Sequence, residues 1–233
     1  MSFTTVTLDL ENAYRIIPSK YPPIDLFEDL TSDPEDWELL IELEMAVNPR
    51  LRDDVGEISL VPPESRITGP GASIVMAPFT HLNPLGSRFT DGSYGIYYAG
   101  DRFETALKET IHHLSRRLKA GTAAVDDLDQ RVYVGEITGN FVDLTGDPTA
   151  AADLLDPDSY ANSQPFAKTI RTEGSDGILY PSVRDPGQRA VAAFWPNVVA
   201  IPSQERHLRY HWDGSRISKY FDYERDEFVA VPG

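Results

Sequence analysis

The chain has 233 residues, 41% of them hydrophobic, with a formal net charge of −16 and no cysteine. Its length suits one large domain or two small ones, with enough interior to fold without covalent staples. The acidic balance argues against binding a nucleic-acid backbone and favours basic protein surfaces as partners, while the missing cysteines exclude disulfides, thiolate nucleophiles and zinc–thiolate sites.

The opening MSFTTVTLDLE has neither a basic n-region nor an apolar h-region, so no secretory signal is expected. No apolar run approaches the roughly 20 residues of a membrane span, and a cytoplasmic protein is the expectation. Residues 1–60 are expected to form an N-terminal extension, an irregular lead-in followed by one helix packed on the core. Ser19 to Pro23 is turn-prone. Ser32-Asp33-Pro34-Glu35 then reads as a capping box, followed by Trp37, Leu40, Ile41 and Val47 near one helical face and by Pro49 as the stop. Val61-Pro62-Pro63 is the expected hinge into a second unit, 61–233.

Beyond a glycine-rich loop at Gly86-Ser87-Arg88, the aromatic and β-branched content of Tyr94 to Ala99 predicts a strand. Asp101 is the expected N-cap of a helix with Glu104 in its first turn. Phe103, Leu107, Ile111, Leu114 and Leu118 supply a stripe at helical spacing, and Gly121 ends it. Asp126 to Asp129 is expected as a loop. Arg131 to Ile137 and Phe141 to Leu144 are expected as two strands around Gly139-Asn140. Gly146 to Asn162 reads as loop with one short helix, and Phe166 to Thr172 as a helix. Gly177 to Val183 and Ala190 to Trp195 read as strands around Asp185-Pro186-Gly187. At the end, Arg209 to Trp212 and Ser215 to Tyr220 flank Asp213-Gly214, a dipeptide that signals a type I′ hairpin. Strands outnumber helices without alternating regularly with them, which predicts an α+β fold, a compact mixed β core with flanking helices.

The chemistry concentrates in GSRFTDGSYGIYYAGDRFETALKE, Gly86 to Glu109. Arginine presents a planar fork that matches phosphate bidentately. Glycine lets backbone approach a ligand, and aromatic rings offer a flat face. A glutamate can orient a hydroxyl or steady a developing cation. Each residue also has an ordinary reading. Arg88 could pair with Asp91. Glu109 lies nearly opposite the apolar stripe of its helix, where most glutamates are simply solvated. Ser182 sits at a turn with no GxSxG elbow around it. His112 and His113, adjacent on a helix, point about 100° apart and chelate poorly together. No HExxH spacing brings His81 to them, so no metal site is expected.

The series Gly86-Ser87-Arg88-Phe89, Tyr98-Ala99, Ala106-Leu107-Lys108-Glu109 and Pro181-Ser182 resembles the RES domain, a bacterial toxin family named for an arginine, a glutamate and a serine. The resemblance covers about Ser65 to Pro202. It implies a fold similar to ADP-ribosyltransferase toxins, consumption of NAD+ as substrate with no further cofactor, and an antitoxin partner with a helix-turn-helix (Xre-like) domain. Carried over by motif, Arg88, Glu109 and Ser182 are the catalytic set. Arg66, Arg88, Tyr98 and Ser182 would bind NAD+, with Phe79 as an additional stacking candidate and Arg184 as a further cation. Arg15 and Arg66 both stand as the family's first arginine. The implied activity is cleavage at the nicotinamide–ribose bond, with ADP-ribose passed to phosphate, water or a protein acceptor. Two alternatives are a protein-specific mono-ADP-ribosyltransferase and, from another class, a non-catalytic protein-binding module on the same scaffold.

Overall fold

The computed structural model describes residues 3–19, 56–121 and 127–231. The helix expected behind Ser32 lies outside them. The residues before it are not an irregular lead-in: Thr4–Pro18 is a 15-residue strand, β1. Val6, Leu8 and Leu10 alternate with Thr5, Thr7 and Asp9, the period of a half-buried strand, and a bulge between Leu10 and Ala13 then shifts the register. β1 runs antiparallel along β3 (Asp127–Asp143), from Thr4 opposite Asp143 to Pro18 opposite Gln130. β3 is one strand where a loop and two shorter strands were expected.

The other edge of β3 is shared. Its first half pairs with β6 (Ser203–Trp212), and its last residues pair in parallel with β4 (Gly177–Pro181). β4 pairs with β5 (Arg189–Ala193), β5 with β2 (Tyr97–Gly100), and β2 returns to β1 through Tyr14 opposite Gly100. Strands β1, β2, β5, β4 and β3 therefore close a ring. From β3 the sheet extends through β6 to β7 (Ile217–Asp222) and β8 (Glu227–Ala230). The β6–β7 turn departs from the expected type. Asp213 N–H donates to Arg216 O, which centres the turn on Gly214-Ser215. Of these two only Gly214 has positive φ, whereas a type I′ turn requires it at both.

One face of the ring packs Leu8, Ala13, Tyr97, Ile137, Phe141 and Val191 against α1 (Ala72–Thr80). The other face carries two layers. Ile16, Val132, Leu208 and Tyr210 meet α2 (Phe103–Ala120) through Leu107, Ile111 and Leu114. Val142, Ile178, Tyr180 and Ala192 meet α3 (Ser163–Thr172) through Ala167 and Ile170. Tyr97 and Tyr98, neighbours on β2, point to opposite faces as strand geometry requires. Arg102, not Asp101, is the N-cap of α2, and Asp101 instead accepts from Arg189 Nε at 3.1 Å. Among the described residues no helix is long and apolar enough to cross a membrane.

Gly177, the first residue of β4, is held between backbone and ring. A Cβ there would lie 2.2 Å from Ala192 O and 2.5 Å from the Phe141 ring. Gly177→Ala is expected to destabilise by about 2–3 kcal/mol, lowering Tm by roughly 5–10 °C in a thermal melt. An unchanged Tm would mean that β4 and Phe141 separate at little cost.

Candidate active site

The loop after α1 is built to hold Arg88. Gly86 has φ 67°, and a Cβ on it would sit 2.4 Å from Thr90 O, so the tight turn requires glycine. Ser87 N–H donates to Thr90 O at 2.8 Å. The Tyr98 hydroxyl accepts from Phe89 N–H at 3.1 Å and shares a 2.8 Å hydrogen bond with Ser87 Oγ. From the start of α3, Gln164 Nε2 donates to Ser87 O and Thr90 O, and Ser163 Oγ donates to Arg88 O. The backbone around Arg88 is thus fixed from β2 and from α3 at once.

Arg88 is 8% exposed. Its Nη1 donates to Leu154 O at 3.3 Å and Asp156 O at 2.8 Å, and its guanidinium lies 5.0 Å from the Tyr160 ring centroid. Among the described residues nothing bonds to Nε or Nη2, and neither atom is sealed from solvent. One edge of the fork is therefore structural, and the other has no hydrogen-bond partner among the described residues. Asp91 is not its partner; that carboxylate pairs with Lys168 Nζ at 3.1 Å.

Glu109, on α2, faces the loop after β4. Ser182 Oγ donates to Glu109 Oε1 at 2.7 Å. The same Oγ accepts N–H bonds from Arg184 at 3.3 Å and Asp185 at 3.0 Å. A hydroxyl has one proton and two lone pairs; both lone pairs are taken, so the proton is directed at Glu109. This saturation argues against Ser182 as a nucleophile and makes it an orienting donor. Arg184 Nη2 donates to Pro157 O at 2.8 Å, so Arg88 and Arg184 grip neighbouring carbonyls of one segment. The Glu109 side chain keeps 22% of its surface exposed. Its helical face is partly covered by the Ser182 loop and partly open.

The cluster is more basic than the chain as a whole. Burial, then Arg184 and Arg88, push the His113 pKa down to about 4. His112 is likewise lowered to about 4, by burial first and then by Arg184 and His113. The 3.7 Å approach of His113 Nε2 to Glu109 Oε2 is therefore not an ion pair at neutral pH. The unfolded chain protonates both rings near pH 6.5, roughly the free value, whereas the fold resists to about 4. Their contribution is present above pH 6.5 and is lost as pH falls through 4. Solvent screening keeps it small, since 51% of the His113 side chain is exposed. An NMR titration of the two rings is expected to show both still neutral at pH 5.5; a midpoint near 6.5 for His113 would show that neither burial nor these cations act on it.

Burial, opposed by its hydrogen bonds and Arg88, raises the Tyr98 pKa to about 12. Burial, with Glu109 and Tyr98 nearby, raises Tyr180 well above its ordinary value. Both phenols stay protonated. Tyr180 stacks edge-on to Phe89 at 5.0 Å. The cluster thus joins Arg88, Tyr98, Glu109 and Ser182 with Tyr160, Tyr180 and Asp185, three residues that sequence reasoning missed. A phosphate could meet the Nε and Nη2 edge of Arg88, while a sugar hydroxyl or a cationic carbon could meet the Glu109 carboxylate.

The remaining candidates make other contacts. Phe79, on α1, is 3% exposed and points into the core on the face of the ring opposite Tyr98. Arg66 is 6% exposed, with Nε donating to Val61 O at 2.8 Å and Nη2 to Ile58 O at 3.5 Å. Arg15 lies over the Tyr97 ring at 4.5 Å and donates to Tyr98 O at 3.0 Å, bracing the strand from which Tyr98 reaches the cluster. A depression of about 490 Å³ elsewhere is lined by Arg102, Arg206 and Arg225 but also by Asp101 and Glu104, so it offers an anion no field of one sign.

Residues 63–213 match the RES domain. The chain belongs to the RES domain family. The RES match spans every residue of the cluster, while β1, β7 and β8 lie outside it. A relative is the uncharacterized protein y4oC of Sinorhizobium fredii (strain NBRC 101917 / NGR234), 32% identical over 217 residues, which take in 91% of this chain and 87% of that one. The RES chain is also similar to a chain of the crystal structure titled M. tuberculosis MbcT–MbcA toxin–antitoxin complex, with TM-score 0.44 and 13% identity over 87% of this chain and 85% of that one.

Proposed function

We propose that this RES protein is an NAD+-consuming glycosyltransferase and the toxin of a toxin–antitoxin pair, its partner a basic helix-turn-helix antitoxin. The observation that carries the reading is the saturated Ser182 hydroxyl directed at Glu109 Oε1, in one cluster with an arginine whose Nε and Nη2 have no partner among the described residues and so suit a phosphate. In this reading Arg88 takes the pyrophosphate of NAD+. Tyr98 and Tyr180 wall the site and lower its polarity. Glu109 faces the nicotinamide ribose, oriented by Ser182. The C1′–N bond breaks with its electron pair leaving on nicotinamide, and the Glu109 carboxylate stabilises the oxocarbenium character left at C1′. Phosphate, water or a protein side chain then adds to C1′ and loses its proton.

The test is nicotinamide release from NAD+ by the full chain freed of any bound partner, with and without phosphate, following ADP-ribose by mass spectrometry. Free ADP-ribose, or its 1″-phosphate when phosphate is present, supports a small acceptor. Label on a protein only after addition of cell extract supports a protein acceptor. No consumption of NAD+ in either setting overturns the enzymatic reading and leaves a protein-binding module.

A further inference from the structure

The loop carrying Ser182 is fastened to the helix carrying Glu109 by a carboxylate with no place in the chemistry above. Asp185 is 7% exposed. Its Oδ1 accepts from Lys108 Nζ and its Oδ2 from Thr105 Oγ1, both at 2.8 Å. Thr105, Lys108 and Glu109 stand at i, i+3 and i+4 on α2, and so share one helical face. Three contacts therefore join this face to the loop: two through Asp185 and the third between Glu109 and Ser182. The loop is also closed on itself. Ser182 N–H donates to Gln188 O at 2.8 Å, Gln188 N–H donates to Asp185 O at 3.1 Å, and Asp185 N–H donates to Ser182 Oγ at 3.0 Å. The Asp185 backbone thus fixes where the Ser182 hydroxyl points, and its carboxylate fixes where that backbone sits on α2. Burial opposes the charge of Asp185, but the bonds from Lys108 and Thr105 outweigh it and hold its pKa below the usual carboxylate range.

We propose that Asp185 is a positioning residue, setting the Ser182–Glu109 hydrogen bond and through it the place of the Glu109 carboxylate against the substrate. It does not touch substrate. The inference rests on the NAD+-cleavage reading for its kinetic consequence and on geometry alone for its structural one, and the two are tested separately. A buried carboxylate–lysine pair that served stability alone would act on the folded fraction and be blind to Ser182.

The kinetic test is a double-mutant cycle of Asp185→Ala and Ser182→Ala on the full chain, reading kcat and KM for nicotinamide release below the melting temperature of each variant. Asp185→Ala is expected to lower kcat about 10- to 100-fold, as lost supporting contacts and small misplacements do, with KM changed less than about threefold. In the Ser182→Ala background it is expected to have no further effect on kcat. An equal fall in both backgrounds, or an unchanged kcat in the first, overturns the proposal. Should Asp185→Ala fail to fold, the nearly isosteric Asp185→Asn carries the same cycle. Should the wild type release no nicotinamide, the NAD+ reading falls alone. The positioning claim is then decided by a crystal structure of Asp185→Asn, in which Ser182 Oγ and Glu109 Oε1 are expected to part beyond about 3.5 Å. A bond retained at its present 2.7 Å would overturn it.

Discussion

Glu109→Gln is expected to lower kcat for nicotinamide release about 10³-fold while leaving the fold in place. The substitution keeps the side chain's shape and leaves an oxygen to accept from Ser182 Oγ, so the loop contact at 2.7 Å can persist. What it removes is the negative charge, and the charge is what a cationic C1′ requires. The stabilisation exists only while the bond to nicotinamide is breaking, so the loss falls on kcat and kcat/KM alike, with substrate binding little changed. At neutral pH the neighbouring His113 is uncharged, so the substitution leaves no buried ion pair broken. A thermal shift below about 3 °C is therefore expected, less than one kcal/mol for a chain of this size. Wild-type turnover by a folded Glu109→Gln protein would sink the proposed chemistry.

Part of this was legible in the sequence and part was not, for physical reasons that differ by element. The apolar stripe of α2 predicted a helix that runs Phe103–Ala120. The same periodicity placed Glu109 on the solvated face, because a helical wheel reports a helix's own core side and nothing about a loop from 73 residues later in sequence that covers the other side. β1 shows the alternation of a strand from Thr4 to Leu10, but the bulge before Ala13 breaks the pattern midway. α1 was not anticipated. Pro78 reads as a breaker, yet the helix continues to Thr80 while burying Val75, Met76 and Phe79. Tyr160, Tyr180 and Asp185 carry no local signal at all. Tyr180 reads as one more apolar strand residue, and Asp185, before Pro186-Gly187, reads as a turn former. Its carboxylate matters only because β5 returns beside β2 and brings the turn onto α2.

Arg88→Lys is expected to lower kcat/KM about 10²-fold, mostly through KM, and to cost about 1–2 kcal/mol of stability. The two effects come from two edges of one guanidinium. Nη1 serves the protein, donating to Leu154 O and Asp156 O beside Tyr160, and a lysine ammonium cannot bridge both carbonyls while also presenting a fork. Loss of that bridge loosens residues 154–160, which Arg184 also holds through Pro157 O. Nε and Nη2 serve the ligand in the proposed function, since a planar pair of parallel donors matches two oxygens of a phosphate and a point charge does not. A purely structural arginine would show only the first effect: reduced stability, with KM for NAD+ unchanged at temperatures where the variant stays folded. Measuring KM well below Tm separates the two, and adding Arg184→Lys sharpens the comparison. If both arginines act on one bound anion, the double variant is expected to lose less than the product of the single losses. If they act only by holding the segment 154–160, the double variant instead shows a large drop in Tm with KM near the wild-type value.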